Sequence, residues 1–377
     1  MCGVCGFLRK YTLIFLTRKE NGEFLTAKMA WKAESMIKIR DEIDLWMPKK
    51  EIERVGGRMA SMKEFEEART SLLNLTSKID FEATKFSLGI LICSTKEQSD
   101  GLCEAIKLPT VMFGRSVRGI LPFLKTNAMR KIVAEECSHV LGAVRGLVES
   151  CIDIESKGGD KIDPTKVGLV AEYCKRFKMR IPKTDKVACK RFVMRSIIQI
   201  KDTADEFQQS LLSSSKDEGD DALLMDDMFL IGDDDFHDDD DEKREMTENE
   251  RFTIESAVKV FRKCQRLCKT YAQACISLPD SLDKTQTKLA NNFVQVSSKL
   301  LTLVTDMGCC LYVPIEKESR DEIVEHGKKL KEFTDQSLVL LLQVPSIHSE
   351  PKVETRIRNM CSALKSALDE LLKRCEY

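Results

Sequence analysis

The chain has 377 residues, a formal net charge of -1 at pH 7, 42% hydrophobic residues and 32% charged residues. This length exceeds what one hydrophobic core usually organises, so we expect two domains or one elongated bundle. Only 18 Gly, 9 Pro and 6% aromatic residues are present, which argues against turn-rich sheets and favours long helices. The composition is that of a soluble globular protein.

Residues 1–23 are interpreted as a disordered leader. Their apolar run, Thr12 to Leu16, is too short to span a bilayer, and no small-residue cleavage site follows it. No other segment reaches membrane length. The Cys2 and Cys5 pair lacks a second pair or a nearby histidine, so a disordered leader is favoured there over a metal site. The 15 cysteines are interpreted as reduced thiols, because a chain of this length needs no disulfide framework.

An N-terminal bundle of five or six helices is predicted over residues 24–212. Proline and glycine residues separate the helices, and Pro109 predicts a kink within the third. The predicted helices are 24–46, 60–94, 96–120, 125–152, 164–178 and 183–212. The last of them carries an apolar stripe at steps of 4 and 3 residues: Val193, Ile197, Ile200, Ala204, Phe207 and Leu211.

The next segment, residues 213–248, is predicted to be a disordered acidic linker. Lys216 to Glu250 contain 17 acidic and 3 basic residues, whereas both flanking regions are net basic. A calcium loop of the EF-hand type is not favoured, because its sixth position would be Asp238 instead of glycine. The carboxylates proposed as an electrostatic regulatory segment are Asp233, Asp234, Asp235, Asp238, Asp239, Asp240, Asp241 and Glu242.

Two serines at the start of this linker are candidate phosphorylation sites. Ser214 and Ser215 each have an acidic residue three positions later, the context that acidophilic kinases favour. We expect phosphorylation there to fray the end of the preceding helix, because the helix dipole disfavours negative charge at that end.

A C-terminal four-helix bundle is predicted over residues 249–377. Its helices are 249–278, 283–312, 316–343 and 350–375. Thr247 and Glu250 have the spacing of a capping box, and Ser349 and Pro351 are predicted to start the last helix. The first helix carries a heptad seam: Ile254, Ala257, Phe261, Cys264, Cys268, Tyr271, Cys275 and Leu278. The last carries another: Val353, Ile357, Met360, Leu364, Ala367 and Leu371.

No recognised catalytic pattern occurs in the sequence. Cys264, Cys268 and Cys275 lie on the inward seam, and we interpret them, with Cys309, Cys310 and Cys361, as core residues. The four histidines are scattered: His139, His237, His326 and His348. A phosphate-binding loop and a dinucleotide fingerprint are both absent. The sequence therefore predicts a non-catalytic protein with no metal and no cofactor. An enzyme remains an alternative only if the fold brings carboxylates and cysteines together in a polar pocket.

Two basic runs raise the alternative of nucleic-acid binding. They are Cys174 to Arg180 and the run FRKCQRLCK, residues 261–269. Apolar residues and nearby carboxylates interrupt both, so solvated helix faces are the favoured interpretation and direct DNA binding is not expected.

The order of these features resembles the cyclin-D-binding protein family, also described as cyclin-D-interacting proteins or Maid homologues. The resemblance rests on the helix, proline break and long helix of residues 170–212, the acidic loop that follows, the helix containing AVKVFRKCQRLCK and the junction LYVPIEKESRDEIVEHGKKLKEF. LLNLTSKIDFEATKFSLGI is similar to the family's early helix. The leader has no counterpart, several seam positions are Cys or Phe instead of Leu, and no family binding residue is transferred to a position here.

The resemblance implies an all-α fold of two antiparallel helical bundles, related to those of talin and vinculin. It also implies a non-catalytic negative regulator of cell-cycle progression, found in nucleus and cytoplasm. The implied partners are D-type cyclins and helix-loop-helix transcription factors, which such proteins sequester without binding DNA. The alternative is a cytoskeletal or membrane-proximal adaptor of the talin or vinculin type.

Overall fold

The computed structural model describes residues 22–48, 61–157, 162–213 and 246–375. Most of these residues lie in α-helices, with a short 3-10 helix at Leu121–Phe123, and no β-strand occurs among them. The all-α fold class is therefore confirmed. The helices are α1 (Gly22–Trp46), α2 (Met62–Gly89), α3 (Lys96–Ile120), α4 (Asn127–Lys157), α5 (Pro164–Arg180), α6 (Asp185–Ser213), α7 (Glu248–Ser277), α8 (Lys284–Cys309), α9 (Lys317–Leu342), α10 (Pro345–His348) and α11 (Pro351–Cys375).

Most helix boundaries lie close to those predicted from the sequence, and the exceptions are the ends of α2 and α4 and the start of α11. Helix α2 ends at Gly89 instead of residue 94, because Ile92 and Cys93 donate to the Gly89 carbonyl and form a turn before Thr95 caps α3. Helix α4 ends at Lys157 instead of residue 152. Pro109 lies within α3, as the predicted helix 96–120 required. Ser349 is the C-cap of the short α10 and does not start α11, although Pro351 is the first helical residue there.

The chain divides into two compact units. Among the described residues, unit 1 contains residues 22–48, 61–123, 132–157 and 162–181, and unit 2 contains residues 124–131, 182–213 and 246–375. The sequence had grouped α6 with the N-terminal helices, whereas in the structure α6 packs within unit 2 against α7 and α8. Residues 214–245 thus connect two neighbouring helices of one unit and are not a tether between the two units.

The apolar stripe of α6 explains its place in unit 2. The Phe207 ring lies 6.4 Å from that of Phe261 on α7, and Asp205 forms an ion pair with Arg262. Gly308 of α8 allows close approach, since a methyl group there would lie 3.2 Å from Thr203 Cγ2. The stripe is buried by its own unit.

In unit 1, α3 packs against α1 and α2, and α2 packs against α5. Phe113 of α3 makes an edge-to-face contact with Phe177 of α5, with the ring centroids 5.0 Å apart. A methyl group on Gly114 would lie only 2.7 Å from Trp46 Cβ, so this glycine permits the close approach of α1 to α3. These contacts join α1, α2, α3 and α5 around a common core.

In unit 2, α7 is the central helix. It packs against α6, α8 and α11, and every member of its predicted heptad seam is buried. Thr247 and Glu250 form the predicted capping box at its start. Helices α9 and α11 also pack together, with Lys331 paired to Asp369 at 2.6 Å. No helix among the described residues is long and apolar enough to cross a membrane.

Candidate functional site: the groove between α7 and α11

A groove of about 780 Å³ runs along unit 2 between α7 and α11. Its α7 side extends from Lys263 to Ser277, about 21 Å at 1.5 Å per residue. Thr270 and Met360 meet at its middle, where the Thr270 Oγ1 atom lies 3.7 Å from the Met360 sulfur. The lining residues are Lys263, Arg266, Lys269, Thr270, Gln273, Ala274, Ser277, Ile347, Glu350, Val353, Arg356, Ile357, Asn359, Met360 and Ala363.

The apolar part of the groove arises because the buried stripe of α11 differs from the predicted one. Val353 and Met360 were predicted to lie in the buried seam, but both are only partly buried and line the groove. The buried stripe keeps four of the six predicted positions and is rotated only slightly around the helix, since it also includes Cys361, Leu368 and Cys375. Its members are Ile357, Cys361, Leu364, Ala367, Leu368, Leu371 and Cys375. The rotation leaves apolar side chains of α11 in contact with solvent.

Four cationic side chains border this apolar surface. Lys263, Arg266 and Lys269 extend from α7, and Arg356 extends from α11. Only one carboxylate, that of Glu350, is part of the groove lining. The run FRKCQRLCK is thus a solvated helix face, as the sequence analysis favoured, and its basic residues border an apolar groove.

None of the four groove cations forms an ion pair with a described residue. Other cations of α7 do: Lys259 pairs with Glu370 of α11 at 3.2 Å, and Arg262 pairs with Asp205. The groove therefore combines an apolar floor with four cations and one carboxylate, Glu350, and is net positive. Such a surface is suited to a ligand that brings both apolar groups and negative charge.

A second, smaller groove of about 490 Å³ lies between α7 and α6. It shares Lys263 and Arg266 with the first groove and is also bordered by Arg251, Lys259 and Arg262. Arg262 and Lys259 are already paired with carboxylates there. The α7–α11 groove is therefore the stronger candidate.

The residues predicted as sites from the sequence lie outside the described part of the chain. This applies to Ser214, Ser215 and every carboxylate from Asp233 to Glu242, as well as to His237. The structure does not test these predictions.

The residues of the α7–α11 groove were not predicted as a site. Two features of the sequence could have indicated this site: the basic run 261–269 on α7 and the apolar positions of α11.

Twelve of the thirteen cysteines in the described residues are buried, and Cys309 is exposed. The prediction of a core position was confirmed for Cys264, Cys268 and Cys361, and was wrong for Cys309, which lies on the solvent side of the last turn of α8. Burial raises the pKa of Cys268 to about 12 and that of Cys361 to about 11. Such thiols are poor nucleophiles near neutral pH.

The contrast between the exposed Cys309 and the buried cysteines predicts selective alkylation. With a pKa of about 12, only about one Cys268 side chain in ten thousand is a thiolate at pH 8, and the thiolate is the reactive form. We expect iodoacetamide at pH 8 to modify Cys309 before any other cysteine of residues 22–375, as measured by peptide mass spectrometry. Rapid modification of Cys264 or Cys268 in the folded chain would contradict this expectation and would indicate an activated thiol.

A polar cluster in unit 1 is the other notable group of ionisable side chains. The Glu136 carboxylate is 1% exposed and accepts two hydrogen bonds from Arg176, at 3.0 and 3.2 Å. This carboxylate raises the pKa of the Arg176 guanidinium. His139 stacks on Tyr173 and lies 3.2 Å from Arg176. These contacts join α4 to α5 and neutralise a buried charge, so we interpret the cluster as structural.

Within the described residues, no group of three or more His, Cys, Asp or Glu side chains is arranged to hold a metal ion. The sequence matches no protein-family model and no curated protein.

Proposed function

We propose that this chain is a non-catalytic regulatory protein that binds a helical segment of a protein partner in the α7–α11 groove. The observation that carries the proposal is the partly exposed apolar surface around Val353 and Met360, beside four cations that form no ion pair with a described residue. Combined with the resemblance to cyclin-D-binding proteins, it suggests a D-type cyclin or a helix-loop-helix transcription factor as the partner. The expected role is restraint of cell-cycle progression in nucleus and cytoplasm.

The dimensions of the groove support a helical ligand. Its length of about 21 Å corresponds to about 14 residues of α-helix, or four turns. An amphipathic helix binds such a groove through apolar residues spaced at i, i+3, i+4 and i+7. Burial of these residues supplies affinity, and occupation of the partner's own interaction surface supplies the regulation.

Filling one end of the groove is expected to weaken partner binding by about tenfold or more, because a large ring there prevents the apolar side chains of the partner from packing fully into the groove. The variant is Ala363→Trp: Ala363 is exposed and lines the groove, so the added ring occupies the space without entering the core. The measurement is the Kd of the purified full-length chain for a D-type cyclin and, separately, for a helix-loop-helix factor, by isothermal titration calorimetry.

Ser362→Trp is the matched control. Ser362 is the adjacent residue on α11, is equally exposed and does not line the groove. We expect it to bind like the unmodified chain. Equal binding by the two tryptophan variants would place the interface elsewhere, and binding of neither partner class by the unmodified chain would overturn the proposed partners.

A further inference from the structure

We infer that the segment held in the α7–α11 groove is an acidic amphipathic helix, with carboxylates flanking its apolar face. This inference rests on the proposed function and specifies the chemistry of the ligand. It follows from the charge of the groove and from the distribution of that charge along its apolar floor.

The lining of the groove carries more positive than negative charge. Lys263, Arg266, Lys269 and Arg356 face one lining carboxylate, Glu350, and none of the four is in an ion pair with a residue that the structure describes. Four neighbouring like charges repel one another, so they destabilise the empty groove slightly and favour an anionic ligand. A helix with carboxylates along its edges relieves this repulsion and accepts hydrogen bonds from the two guanidinium groups.

The positions of the cations follow the length of the groove. Helices α7 and α11 are antiparallel, since Lys259 meets Glu370 and Thr270 meets Met360. Lys263 and Arg266 therefore lie toward one end, and Arg356 lies beyond Met360 toward the other. Between these ends the floor contains the apolar side chains of Ile357 and Met360, and Val353 lies beyond Arg356, so the ligand needs a continuous apolar face as well as negative charge.

A nucleic acid fits this groove less well than an acidic helix. No aromatic side chain is among the lining residues, so none is available for base stacking, and the floor is apolar where a phosphate backbone requires polar groups. An anionic membrane surface is also less suited, because a flat bilayer does not enter a groove whose floor lies below its basic edges. Both are tested below as outcomes.

The test uses the full-length chain and a fluorescent synthetic peptide, with binding measured by fluorescence anisotropy. The peptide is an amphipathic helix of about 18 residues, long enough to span the groove, with Leu on its apolar face and Glu at the flanking positions. Its matched peptide has Gln at every Glu position, which removes the charge and retains the shape. We expect the Glu peptide to bind about tenfold more tightly than the Gln peptide at low ionic strength. We expect this preference to decrease as salt is added.

Charge reversal then assigns the effect to the groove. The variant Lys263→Glu with Lys269→Glu is expected to weaken binding of the Glu peptide by about tenfold and to leave binding of the Gln peptide nearly unchanged. The control is Lys288→Glu with Lys299→Glu on α8, two exposed lysines with the same charge change that do not line the groove. It is expected to bind the Glu peptide like the unmodified chain. Far-UV circular dichroism confirms that both variants are folded.

Several results would overturn the inference. Equal affinity for the Glu and Gln peptides, with both blocked by Ala363→Trp, would leave the groove as an interaction site and remove its acidic preference. Tighter binding of a single-stranded oligonucleotide or of phosphatidylserine vesicles, lost in the Lys263 and Lys269 variant, would assign the groove to those ligands. If the Glu peptide binds only after residues 216–244 are replaced by a Gly and Ser sequence of equal length, the occupant is the chain's own acidic segment.

Discussion

Replacement of Lys32 by alanine is expected to destabilise unit 1 by about 3–5 kcal/mol. The Lys32 ammonium of α1 lies 3.1 Å from the Glu155 carboxylate of α4, and the two side chains are only 6% and 8% exposed. The same ammonium donates to the Leu91 carbonyl in the turn after α2. Removing it leaves a carboxylate buried without its cation, and the desolvation penalty of that charge is then uncompensated.

The measurement is urea unfolding followed by tryptophan fluorescence. The chain has only two tryptophans, Trp31 and Trp46, and both belong to α1, so their emission reports on unit 1. Lys38→Ala is the control, because it removes an exposed ion pair with Glu34 on the same helix and is expected to cost less than about 0.5 kcal/mol.

A double variant distinguishes loss of the ion pair from loss of packing. With Lys32→Met and Glu155→Leu, both charges of the pair are replaced by apolar side chains of similar size, so neither member of the pair is left buried without the other. We expect a stability within about 1 kcal/mol of the unmodified chain, far above that of Lys32→Ala alone. A double variant as unstable as the single one would show that the pair is not the source of the effect.

Replacement of Glu250 by alanine is expected to destabilise unit 2 by about 2–4 kcal/mol, the sum of a lost helix cap and an unsatisfied buried donor. Glu250 is 3% exposed. Its carboxylate accepts from the Thr247 backbone N–H at 2.8 Å and from the Ile315 N–H at 2.9 Å. One side chain thus closes the capping box of α7 and anchors the turn between α8 and α9.

The readout is urea unfolding followed by far-UV circular dichroism. Glu248→Ala is the matched control, because it removes an exposed negative charge from the same first turn of α7 and retains the capping box. We expect this control to cost about 0.5 kcal/mol through the helix dipole alone. Equal losses for the two variants would mean that the hydrogen bond to Ile315 contributes nothing measurable.

The α7–α11 groove shows that a heptad pattern alone does not determine which side chains of a helix are buried. A heptad pattern identified an apolar stripe on α11, and Ile357, Leu364 and Leu371 are buried as it predicted. The same pattern assigned Val353 and Met360 to the core, yet they line the groove. Two adjacent apolar stripes were compatible with the sequence, and packing against α7 and α9 selected between them.

The place of α6 has a similar explanation. The charge composition changes sharply at the acidic segment, so the boundary between the two bundles was expected there. The stripe containing Ile200 and Phe207 is apolar enough to pack in either unit, and only the contacts with Phe261 and Gly308 decide which unit it joins. A charged segment between two helices does not determine whether those helices pack against each other in the fold.

The sequence by itself determined the all-α class, the positions of ten long helices and the capping box at Thr247, because periodicity, proline breaks and caps act over a few residues. Tertiary structure alone decided which helices share a unit, which stripe of α11 is buried and which basic residues beside the apolar floor form no ion pair with a described residue. These features depend on contacts between residues far apart in the chain, and local patterns are compatible with more than one set of such contacts.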